Sequence, residues 1–116
     1  MALRRAELRR RGVLAATELA GAPNGTPVLV AGSVIVRQRP GTAKGFVFLT
    51  LEDETGIANV IVTPPLFARY RTTLVAEPFL LVEGIAQQQD GVASIRAARV
   101  SALDVLARGV PSNDFG

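Results

Sequence analysis

The sequence predicts an all-β domain with one helix: five short strands closing into a small barrel, in the order β-β-β-α-β-β, behind a short helical N-terminal extension. Three observations lead there. β-branched and aromatic residues gather in five runs separated by Gly/Pro/Asp/Asn clusters. One segment, 64–77, opens on Pro64-Pro65 and then places Phe67, Tyr70 and Leu74 at helical spacing. Two of the strand-like runs carry an interior glycine, Gly32 and Gly84, where a strand serving two sides of a closed barrel must bend.

In chain order, residues 1–27 are read as the helical N-terminal extension and linker, 28–103 as the barrel and 104–116 as a C-terminal tail. Residues 1–11 have weak helical character, with Leu3 and Leu8 as apolar anchors and Gly12 placed to end the helix. VLAATELA (13–20) reads as a second short helix with Thr17 as a cap. GAPNGTP (21–27) is a turn cluster, and its Asn24-Gly25 step is a turn signal rather than a glycosylation acceptor. VLVAGSVIVRQR (28–39) is the first strand and PGTAKG (40–45) a turn. The second and third strands are 46–52 and 57–62, and the helix PPLFARYRTTLVAE (64–77) follows. FLLVEGIAQQ (79–88) and VASIRAARV (92–100) are the last two strands, joined by the turn QDG, and SALDVLARG (101–109) reads as a last helical turn. This order is the plan of the OB-fold, a small Greek-key barrel.

The hairpin FVFLTLEDETGIANVIV (46–62) separates inside from outside. A two- or four-residue loop centred on Glu54-Thr55 gives one register. It sets Leu51 against Ala58, Leu49 against Val60 and Val47 against Val62, all apolar, so that side is core. The other side sets Glu52 against Ile57, Thr50 against Asn59 and Phe48 against Ile61. Two readings of this mixed side are open: the N-terminal helix or the 40–45 loop covers it, or it binds something. In the second, Phe48, with Phe46 and Ile61 near it, offers a surface on which a base stacks, worth ~1–3 kcal/mol. Thr50 and Asn59 then offer hydrogen bonds to base edges. OB-folds bind oligonucleotides on this face, beside the 1–2 and 4–5 loops.

Charge points the same way. The net charge is +3, but residues 1–11 hold +4 of it and the remainder is −1, so a basic footprint on the barrel must come from clustering. RQRPGTAKG (37–45) supplies such a cluster: Arg37, Arg39 and Lys44 with no acidic residue among them. Arg96 and Arg99 on the last strand extend the track toward phosphates.

Several functions are excluded. The chain has no Cys and no His, which removes disulfides, the usual zinc ligands, thiol nucleophiles and the commonest general base. GTAKG lacks the spacing of a nucleotide-binding P-loop, and EDE (52–54) fits no calcium loop and reads as a solvated turn. No nucleophile–base pair is visible, so no catalysis, cofactor, metal or small-molecule substrate is expected. No apolar run approaches the ~20 residues that span a bilayer, and Glu7 and Arg9–Arg11 interrupt any secretory leader, so a cytoplasmic location is expected.

The stretch VAGSVIVRQRPGTAKGFVFLTLEDETGIANVIV resembles the C-terminal OB-fold domain of bacterial C-family DNA polymerase III alpha subunits. It is most similar to the error-prone branch, in which RQRPGTAKG, LEDETG and ANVIV run together. PPLFARYR, LLVEGIAQ, the leading ELRRRGVLAATELA and the closing SNDFG follow the same pattern, so the likeness spans nearly the whole chain and is most specific over 31–62. Thr63 departs from it, standing where that branch is expected to carry an aromatic. The resemblance implies a domain that contacts single-stranded template DNA during damage-tolerant, mutagenic synthesis, alongside other polymerase or mutasome subunits. It implies no catalysis by this chain, because the family's palm domain with its metal-binding carboxylates is not in it. The hairpin also resembles the anticodon-binding domain of class II aminoacyl-tRNA synthetases. There the Phe matching Phe48 stacks on a base, and a Gln at the place of Asn59 reads one. A protein-interaction module using Phe46, Phe48 and Ile61, and an RNA-binding domain, are the competing expectations.

Overall fold

The computed structural model describes residues 12–38, 45–89 and 91–103. It contains strands β1 (Val13–Leu14), β2 (Pro27–Gln38), β3 (Val47–Asp53), β4 (Gly56–Val62), β5 (Phe79–Gln89) and β6 (Val92–Ala102). Helix α1 (Ala16–Leu19) precedes β2, and α2 (Pro64–Ala76) joins β4 to β5. The strands run in the order β2-β3-β4-β6-β5, and β5 pairs back onto β2. That closes the five-stranded OB barrel expected from the element order. β1 is an additional strand, parallel to β2, with Val13 beside Leu29 and Leu14 beside Val30.

Closure depends on the two interior glycines. β2 pairs with β5 from Pro27 to Ser33 and with β3 from Ser33 to Gln38, so it changes partner at Gly32–Ser33. A Cβ on Gly32 would stand 2.7 Å from the Glu52 carbonyl oxygen. Gly84 sits at a register shift in the β5–β6 ladder, and a Cβ there would run into the Arg96 carbonyl. Both corners are bends that a side chain would block.

The core is filled by Leu49, Leu51, Val60, Val62, Leu80, Val82 and Ile95 from the strands. α1 closes the barrel at the β3–β4 turn with Ala16 and Leu19. α2 follows Val62 and lies at the opposite end, burying Leu74 and packing Phe67 and Tyr70 against the core. That is the face its sequence spacing predicts. Thr63, the departure from the polymerase pattern, is the N-cap of α2, ahead of Pro64 and Pro65. Tyr70 leaves helical geometry at φ −111°, ψ 19°, which kinks the helix.

Three sequence expectations are corrected. VLAATELA is not one helix: Val13–Leu14 is a strand, Ala15 is the N-cap, and Thr17 lies inside α1, where its N–H donates to Thr55 Oγ1 at 3.2 Å. Residues 101–102 extend β6 rather than starting a helical turn. EDE is not simply a solvated turn, because Asp53 is 5% exposed. Its Oδ1 accepts from Thr55 N–H (2.7 Å), Thr55 Oγ1 (2.6 Å) and Gly56 N–H (3.1 Å). Its Oδ2 accepts from Ala16 N–H at 2.8 Å. One carboxylate thus forms the hairpin turn and pins α1 to it. The Asn24-Gly25 turn is present, with Gly25 at φ +89°. The expected helix over 1–11 and the 104–116 tail lie outside the described residues.

Candidate nucleic-acid interface

The β3–β4 register is the expected one, closed by a two-residue Glu54-Thr55 turn between Asp53 and Gly56. Val47, Leu49, Leu51, Ala58, Val60 and Val62 are all buried. Phe48, Thr50, Asn59 and Ile61 are half-buried on the outside of the barrel. Phe46, just ahead of β3, is half-buried too.

The outer face continues onto neighbouring strands, because residues in register share a side. Phe48 lies between Gln38 and Ile61, Ile61 lies beside Arg96, and Arg96 beside Ile85. This row joins an aromatic ring, two aliphatics and a cation. The adjacent row runs Val36, Thr50, Asn59, Ser94 and Gln87. Apart from Val36 it consists of neutral groups that both donate and accept hydrogen bonds. With strands about 4.8 Å apart, four side chains span about 14 Å, the scale of two or three nucleotides. Val36 and Ile57 on the same face are exposed. Sequence reasoning found Thr50 and Asn59 but missed Ser94 and Gln87, whose membership depends on the parallel β4–β6 pairing.

The expected cations do not all reach this face. Arg96 does, through its place beside Ile61. Arg99 stands in register with Glu83, an opposite charge. Arg39 and Lys44 lie outside the described residues. Arg37 lies within β2 rather than in the loop after it, and it registers with Leu49, on the other side of β2 from the Phe48 neighbour Gln38. The cause is a bulge between Val34 and Val36, without which Arg37 would stand opposite Phe48. Its guanidinium instead donates through Nε to Leu74 O and through Nη2 to Glu77 O, both at 2.8 Å.

Among known families, a model described as an OB-fold nucleic acid binding domain matches residues 28–103. The chain belongs to that family. It is also 46% identical over 111 residues to the error-prone DNA polymerase of Mycolicibacterium paratuberculosis, covering 96% of this chain and 10% of that protein. To the error-prone DNA polymerase of Corynebacterium diphtheriae it is 50% identical over 118 residues, covering 99% of this chain and 11% of that protein. The chain therefore spans about a tenth of the length of these relatives. Among solved structures, asparaginyl-tRNA synthetase from Pyrococcus horikoshii is similar with a TM-score of 0.68 at 21% identity, over 87% of this chain and 25% of that one. That likeness is one of fold. No helix among the described residues is long and apolar enough to cross a membrane.

Proposed function

We propose that this is the non-catalytic OB domain of an error-prone C-family DNA polymerase, acting in the cytoplasm on single-stranded template DNA during synthesis across damage. The observation that carries the reading is the pairing of rows on the outer face. Phe48, Ile61 and Arg96 supply a stacking surface and a cation, beside a polar row of Thr50, Asn59 and Ser94. Stacking tolerates any base, and rotatable hydroxyls and amides meet either donors or acceptors, so the face suits a template of varying sequence. Arg39 and Lys44, which follow Gln38 in the chain, add charge for phosphates.

The test is fluorescence anisotropy with labelled single-stranded and duplex oligonucleotides over a range of salt. Single strands bind better than duplex, with a log–log salt slope of about −2 from three phosphate contacts. Equal binding of duplex would overturn the reading. A protein-docking face is the second reading, favoured by Val36 and Ile57, aliphatics exposed by 39% and 54% on the same surface. Salt-insensitive association with another polymerase-assembly subunit, with no oligonucleotide binding, would establish it instead.

A further inference from the structure

We infer that Arg37 is a positioning residue for the Phe48 face: it straps the outer half of β2 to the end of α2 and contacts no phosphate. The inference rests on the proposed single-strand binding. The bulge at Val34/Val36 follows the Gly32–Ser33 corner of β2, and the end of α2 with the α2–β5 connection bonds β2 on both sides of it. Ahead of the bulge, Val34 N–H donates to Pro78 O at 2.8 Å. Beyond it, Arg37 reaches Leu74 O and Glu77 O. These bonds cap the carbonyl end of α2, whose last turn carries no basic residue of its own.

A pocket of about 140 Å³, open to solvent, lies beside the strap and is lined by Arg37, Gln38, Val47, Leu49, Phe67, Leu74 and Val75. The two charge-assisted bonds tie the end of β2 to α2 alongside it. What they fix is the residue pair Gln38–Phe48 and, two positions back, Val36–Thr50. An arginine that looks like a phosphate ligand in sequence thus acts on the ligand through the strand that carries it.

The experiment compares the whole chain with Arg37→Gln, Arg37→Lys and Arg96→Gln, each shown to be folded by circular dichroism at the assay temperature. Affinity for a labelled oligothymidine is read against salt. Arg37→Gln binds roughly tenfold more weakly, the scale of one lost charge-assisted hydrogen bond, with its salt slope unchanged. Arg37→Lys recovers only part, since one ammonium does not reproduce the guanidinium fork. Arg96→Gln, by contrast, makes the slope shallower by about 0.7, one phosphate contact. If Arg37→Gln also makes the slope shallower by about 0.7, Arg37 is a phosphate ligand and the inference is overturned. Unchanged affinity overturns it too, leaving Arg37 a helix cap and nothing more. Amide hydrogen exchange without DNA supplies the independent arm: Arg37→Gln speeds exchange at 36–38 and 48–50, and unchanged exchange overturns the strap. That arm still decides if the wild type binds no single strand, a result that would defeat the binding reading itself.

Discussion

The β3–β4 hairpin has one wholly apolar side and one mixed side, and they sit in opposite environments. On the inner side Val47, Leu49, Leu51, Ala58, Val60 and Val62 are sealed in the barrel. On the outer side Phe48 and Ile61 are half-buried, interleaved with Thr50 and Asn59 and bordered by Arg96. What differs is the company each residue keeps across the hairpin: Val47, Leu49 and Leu51 meet only apolar partners on β4, whereas the outer side sets Thr50 against Asn59 and Glu52 against Ile57, with Arg96 beside Ile61. The inner side should govern stability, and the outer side binding.

Substitutions on the two sides separate these roles. The largest stability effect is expected for Leu49→Ala, which empties a fully buried site and lowers stability by about 3 kcal/mol in urea denaturation. Asp53→Ala comes next, at about 2 kcal/mol, because it removes the acceptor shared by Ala16, Thr55 and Gly56 N–H groups. It also frees α1, read as faster amide exchange at Ala16 and Thr17. If Asp53→Ala proves neutral, the turn is the solvated loop that its acidic run suggests.

Much of this was legible beforehand, for physical reasons. A period of two plus a short turn fixes strand register, so the β3–β4 pairs from Val47–Val62 to Glu52–Ile57 followed from the spacing, while the Asp53–Gly56 pair decides for the two-residue turn over the four-residue one. Gly32 and Gly84 marked the corners because a bend without room for a Cβ leaves only glycine. The side of β2 that carries Arg37 was not legible, because a bulge adds one residue and inverts the faces beyond it, and nothing in SVIVRQR announces the extra residue. Asp53 was missed because its burial depends on α1, which closes over the turn from 37 positions earlier in the chain. β1 was hidden because two residues carry no periodicity.

Phe48→Ala tests the division between the two sides most directly, with thermal or urea unfolding and single-strand affinity measured on one preparation. Stability should change by less than about 1 kcal/mol, as for a partly exposed surface position. Affinity should fall by about 5- to 150-fold, the loss of one base-stacking contact. Destabilisation matching Leu49→Ala would mean that Phe48 belongs to the core, and unchanged affinity would mean that the outer face does not carry the DNA.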